Sequence, residues 1–129
     1  MPNEIENGRA SFAYERVLAV STEKSEKYAK DYRALVRSFP VMIQTNGFGA
    51  SVAFLFSKKK NNQHEAVYND ISKWLKEQKL IDNELMEAIT KQTRNGYRRM
   101  TNETMALLIW MKRFAEGMIE GESSEKQSC

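Results

Sequence analysis

Bond-making chemistry needs a base, a nucleophile or a set of metal ligands, and the side chains able to serve are scarce in this chain of 129 residues. The single histidine, His64, lies in KKKNNQHEAV, a polar segment that reads as a loop running into a helix. It is expected as a solvated residue near a helix start, not as the base of a hydrolytic triad. The single cysteine, Cys129, is the last residue, so no internal disulfide is possible. One His and one Cys exclude His-rich or Cys-rich zinc sites, paired-His metalloproteases and ferritin-like di-iron centres. Asp31, Asp70 and Asp82 all have polar or charged neighbours and read as exposed helix faces or caps, which argues against two carboxylates forced together in an apolar pocket. The seven methionines fall at core-like spacings. Gly47-Phe48-Gly49 begins like a phosphate-cradling loop, but Val52 stands where a third glycine belongs. No GxxxxGK[ST] occurs, and Asn102-Glu103-Thr104, a glycosylation sequon in form, reads as helix capping. The expectation is a protein without catalytic residues, metal or cofactor.

What the chain has instead is charge. The net +3 hides an uneven distribution: from Glu116 onward four glutamates face one lysine, which makes that end −3 and leaves +6 on residues 1–115. Between 91 and 113 six basic residues face only Glu103. Three basic clusters result. Arg33 and Arg37 lie four apart on the polar side of one predicted helix. Lys58, Lys59 and Lys60 close another helix and its loop. Arg94, Arg98, Arg99, Lys112 and Arg113 surround the last helix. Each alone reads as a solvated face, or as a complement to a helix dipole, as do Lys73, Lys76 and Lys79. Together, on a small basic body, they favour contact with phosphates. The aromatic and basic interleaving of RNA-recognition motifs is absent, so readout by base stacking is not indicated.

These residues need a scaffold, and helical periodicity supplies it. Ala10, Ala13, Val17 and Val20 predict an amphipathic helix over about 8–20, after which Ser21 or Thr22 would cap a second helix carrying Tyr28, Tyr32, Leu35 and Phe39 on one face. Pro40 predicts a break or kink, and Asn46-Gly47 a turn. FGASVAFLF is apolar enough for a buried strand, but its small residues and single β-branched apolar residue favour a helix. Val67, Ile71, Trp74 and Leu75 mark a helix ending near Lys79. A short one opened by Asp82 or Asn83 would carry Leu85, Met86 and Ile89 and end at Asn95-Gly96. The last helix, capped by Thr101 or Asn102, is apolar nearly all round and so belongs in the middle of a bundle. The fold class is all-α: a compact bundle of about six helices forming a single domain over 1–119, with a disordered acidic tail over 120–129. No apolar run approaches the roughly 20 residues of a membrane span, and the start shows no export signal, so a cytoplasmic location without membrane contact is expected.

YRALVRSFPVMIQTNGFGASVAFLFSK, Tyr32 to Lys58, resembles the signature of the small-subunit family of Cmr-type (type III-B) CRISPR effector complexes: a helix with a basic residue before a proline-containing turn, an Asn-Gly-hydrophobic-Gly element, and an Ala-Phe-Leu helix finishing in Ser-Lys. YRRMTNETMALLIWMKRFAEGMI, Tyr97 to Ile119, is similar to the family's second block, and RASFAYERV to its opening helix. Phe48 stands where leucine is commoner, and the acidic tail looks particular to this chain. The resemblance implies a helical bundle without catalytic activity. Its copies would line up as a filament beside the guide-RNA-binding backbone subunits and the large subunit, contacting guide and target RNA through phosphates. Arg37, Lys58, Arg98, Lys112 and Arg113 sit at matching basic positions; Lys59, Lys60, Arg94 and Arg99 join them on charge density. The other reading is a helix-turn-helix-like DNA-binding regulator using Arg94 to Arg99 and the last helix, although an all-round apolar helix suits a groove poorly.

Overall fold

A computed structural model of the chain describes residues 4–121. Among these residues six helices and no strand are found: α1 Glu4–Glu23, α2 Glu26–Asn46, α3 Phe48–Lys58, α4 Gln63–Glu77, α5 Leu85–Thr90 and α6 Arg94–Met118. All six contribute to one apolar core whose largest fully buried side chains include Tyr32, Phe39, Phe48, Leu55, Ile71, Leu75, Leu107 and Met111. The all-α compact bundle expected from periodicity is the observed fold. The tail expected over 120–129 lies outside the described residues except for Glu120 and Gly121.

Paired residues fix the directions of the four long helices. Arg9 meets Glu103 and Tyr14 meets Phe114, so α1 and α6 run the same way. Arg37 meets Glu116 while Gly49, just past α2, meets Tyr97, so α2 runs opposite to α6. Phe12 and Arg16 meet Trp74 and Asp70, which sets α4 antiparallel to α1. The short helices α3 and α5 pack on each other, and α3 also covers α2 and α4.

Several boundaries differ from the sequence reading, each for a physical reason. Ser21 and Thr22 lie inside α1, which runs on to Glu23, and their hydroxyls donate back to the carbonyl of Leu18 at 3.0 and 2.8 Å instead of capping the next helix. Ser25 caps α2 instead, its side chain accepting from the Tyr28 N–H at 3.1 Å. Helix α2 runs unbroken through Pro40. Proline inside a helix costs about 3 kcal/mol, but Phe39 and Ile43 on either side are buried, and each such side chain contributes about 1.5–3 kcal/mol. Gly47, at φ +93°, makes the turn between α2 and α3 on its own, a conformation side-chain-bearing residues rarely adopt. Glu84, not Asp82 or Asn83, caps α5 by accepting from the Glu87 N–H at 3.0 Å.

Asn95-Gly96 does not end a helix but lies in the first turn of α6. Thr93 caps that helix through the Gly96 N–H at 3.0 Å, so Thr101 and Asn102 are interior positions. Nor does α6 stand in the middle of the bundle. Met100, Thr104, Leu107, Leu108, Met111 and Ala115 form its buried face, and Ile109 is 57% exposed on the other side.

Helix α4 ends in a Schellman-type turn. The Leu80 N–H donates to the Leu75 carbonyl at 2.9 Å, and the Lys79 N–H to that of Lys76 at 2.9 Å. Glycine is the usual occupant of the left-handed position in this motif, yet Lys79 fills it at φ 62°. Left-handed geometry costs a residue with a Cβ about 1–2 kcal/mol.

Candidate nucleic-acid interface

The charged residues fall into two groups, those with a carboxylate partner and those without. Glu103 is the clearest partner. It accepts from Arg9 Nε and Nη2 at 2.8 and 3.0 Å and from the indole N–H of Trp74 at 2.8 Å, tying α1, α4 and α6 at one point. The hydrogen bonds from Arg9 hold its carboxyl below the usual range, against the opposing effect of burial, and Trp74 adds to the lowering. The second knot overturns a sequence expectation. Asp70 is not on an exposed face but 2% exposed, accepting from Arg16 Nε at 2.8 Å and from the Tyr32 hydroxyl at 3.2 Å. Burial pushes its carboxyl up to about 6, with Arg16 opposing the rise.

His64 follows the same logic. It lies at the start of α4, whose first N–H groups are capped by the Asn62 side chain, but it is half-buried, its ring edge-on to Phe54 at 5.4 Å. Burial, and then the nearby Lys58, push its pKa down. No group of three His, Cys, Asp or Glu among the described residues could hold a metal ion, and no helix there is long and apolar enough to cross a membrane.

The nine basic residues singled out from sequence are not equivalent. Arg37 Nε lies 3.2 Å from one carboxylate oxygen of Glu116, and Arg113 Nη1 3.6 Å from the other. Glu116, counted in the sequence with the acidic end, thus belongs to α6 and offsets two of the expected contacts. The ammonium of Lys59 lies over the rings of Phe56 and Tyr68, at 5.0 and 5.2 Å, and helps seat the α3–α4 loop. Lys58, Lys60, Arg94, Arg98, Arg99 and Lys112 have no carboxylate within 4.0 Å among the described residues.

Because α6 begins at Arg94, the arginine cluster is helical and its members diverge. Arg94 and Arg98 share a face, whereas Arg99 is turned by about 100°. Arg99 lines a hollow of about 340 Å³ with Arg9, Gln78, Leu80, Asn102 and Glu103. Beside it, sharing Leu80, a larger hollow of about 630 Å³ is lined by Lys76, Lys79, Ile81, Asp82, Asn83 and Gln92. Lys76 and Lys79, read from sequence as dipole partners, have no carboxylate within 4.0 Å either. The Lys-x-x-Lys spacing before the turn was the one signal that could have marked them.

A family model described as a CRISPR-associated protein (Cas_Cmr5) matches residues 5–118. The chain belongs to the Cas_Cmr5 family. Its relatives include the CRISPR system Cmr subunit Cmr5 of Thermus thermophilus, 32% identical over 111 residues that cover 86% of this chain and 92% of that one. The X-ray crystal structure of a CRISPR-associated Cmr5 family protein from Thermus thermophilus superposes with a TM-score of 0.72 at 30% identity, covering 87% of this chain and 95% of that chain. The family span thus takes in every helix described here, from the first turn of α1 to the last residue of α6. A helix-turn-helix regulator finds no comparable support, since the 25-residue α6 lies along α1 and α2 instead of presenting a short reading helix.

Proposed function

We propose that this Cas_Cmr5 protein is a non-catalytic small subunit of a Cmr-type CRISPR ribonucleoprotein, acting in the cytoplasm. Its copies stack in a filament beside the backbone and large subunits and hold the target RNA, paired to the guide, by its phosphates. The observation that carries this reading is the family match over nearly all of the helical body, 5–118. Lys58, Lys60, Arg94, Arg98, Arg99 and Lys112, which have no carboxylate partner among the described residues, support the phosphate contacts, since solvent-facing cations without local partners attract a polyanion without reading its sequence. Arg37 and Arg113 contribute less, because Glu116 already offsets them, and Lys59 contributes through the shape of its loop. The supply of charge and shape without reacting groups suits a subunit whose partners carry out the chemistry.

Co-expression with the neighbouring genes tests the assignment. The chain is expected to copurify with a guide-RNA complex, and substituting Lys58, Arg98 and Lys112 by glutamate should weaken RNA-loaded assembly while helical circular dichroism is unchanged. A chain that purifies alone, free of RNA and of other subunits, would contradict it.

A further inference from the structure

The hollow at the α4–α5 elbow combines three features that local stability does not require. Lys76 and Lys79 face it as two cations without carboxylate partners among the described residues, and Asp82 is the one acid in its lining. Lys79 holds a left-handed backbone position where glycine would be less strained, so its side chain is kept there against a local preference. Gln92, exposed on the far wall, adds a side-chain amide to the lining. Asn83 brings a second amide, and Leu80, half-buried, borders the arginine-lined hollow next door.

We infer that the α4–α5 elbow is a phosphate-binding cleft that seats one nucleotide of the target RNA where that strand is not paired to the guide, with Lys76 and Lys79 on the phosphate and Asn83 and Gln92 on the sugar or base edge. Arg99, across Leu80, is placed to take a neighbouring phosphate of the same strand. Cations paired with side-chain amides suit single-stranded RNA, whose unstacked bases expose hydrogen-bonding edges. An acidic protein surface would engage the same lysines and amides through its carboxylates, so the choice of RNA follows from the RNA-contacting reading above and a protein contact is an outcome of the test. This inference rests on the RNA-contacting reading above and assigns it a place on the molecule.

The test uses the assembled guide-loaded complex containing the full chain, with target RNA carrying 4-thiouridine at successive positions. Ultraviolet crosslinks are expected on residues 76–92. The pair Lys76→Ala and Lys79→Gly should weaken target binding at least about tenfold, and lower the salt dependence of binding by about one unit of log–log slope per lysine. Lys79→Gly alone separates binding from folding: it relieves the strained position, so thermal stability should hold or rise while RNA affinity falls. Crosslinks confined to Lys58–Lys60 or to the exposed face of α6, with unchanged affinity in the double variant, would overturn the elbow assignment and leave the RNA-contacting reading intact. Crosslinks absent from this chain altogether would overturn both. Failure of the double variant to enter the complex, with its fold intact, would make the elbow a contact with another subunit and likewise overturn the assignment.

Discussion

The faces where α1 meets α4 and α6 hold their charges differently from the α4–α5 elbow and the start of α6. On the first, Arg9 and Arg16 are each closed on a carboxylate, Glu103 and Asp70, with an aromatic donor, Trp74 or Tyr32, completing the set. On the second, Lys76, Lys79, Arg94, Arg98 and Arg99 project without carboxylate partners among the described residues. The residue types are the same. What differs is whether the fold brings an acid within reach, and that divides basic residues that hold the bundle together from those left for an external anion.

The comparison can be broken first at its strongest paired point. Replacing Glu103 by Ala removes three hydrogen bonds and leaves Arg9 and the Trp74 indole without their acceptor, so a loss of about 2–4 kcal/mol is expected in urea unfolding. A loss within the scatter of surface substitutions would mean that the paired face does not hold α1, α4 and α6 together.

Asp70 gives the next largest effect, through pH. Its carboxyl titrates near about 6 in the fold and near 3.8 when unfolded, so the folded state binds the proton more tightly. The stabilisation is fully present below the unfolded value and is lost as pH rises through about 6, a change of up to about 3 kcal/mol. Glu103 acts in the opposite sense, its contribution lost as pH falls through its depressed value. Asp70→Asn should therefore flatten the fall in stability between pH 4 and 7, as read by urea midpoints at several pH values, and leave the acid limb governed by Glu103 in place.

At the turns the effects are smaller. Gly47→Ala forces a side chain into φ +93° and should cost about 1–3 kcal/mol. Tyr97→Phe removes the hydroxyl that accepts from the Gly49 N–H at 2.7 Å and should cost about 1 kcal/mol. Thermal melts of both would show whether α3 is pinned to α6 as described. Smallest of all, Arg98→Ala and Lys112→Ala should change stability by no more than about 0.5 kcal/mol. A larger loss would place them with the paired face.

The sequence carried the fold in its periodicities. The stripes Ala13–Val17–Val20, Tyr32–Leu35–Phe39 and Val67–Ile71–Trp74 are buried as the three- and four-residue spacing requires. Where the reading missed, a local signal was overridden by distant packing. Pro40 does not break α2, in which Phe39 and Ile43 are buried, and Asn95-Gly96 was absorbed into α6 by the Thr93 cap. The interface was less legible for the same reason carried further. Arg9 and Glu103 are 94 positions apart, and Arg16 and Asp70 54, so no spacing along the chain announces which charges cancel. Charge density could suggest Arg94 to Arg99 but could not separate Arg98 from Arg99, nor show that Glu116 faces Arg37. Lys79 looked like an ordinary helix-end lysine because its left-handed backbone is a property of the turn, not of its neighbours in sequence.

The division into closed and open charges is tested most directly by the salt dependence of target-RNA binding in the assembled complex, compared between two sets of substitutions. Neutralising the open set, Lys76, Lys79, Arg98 and Lys112, is predicted to lower the slope of log affinity against log salt by about 1 per residue at unchanged stability. Neutralising the closed pair, Arg9 and Arg16, should lower stability and leave the slope as it was. Equal slopes for the open set and the unaltered protein, or a slope lowered by the closed pair instead, would contradict the account.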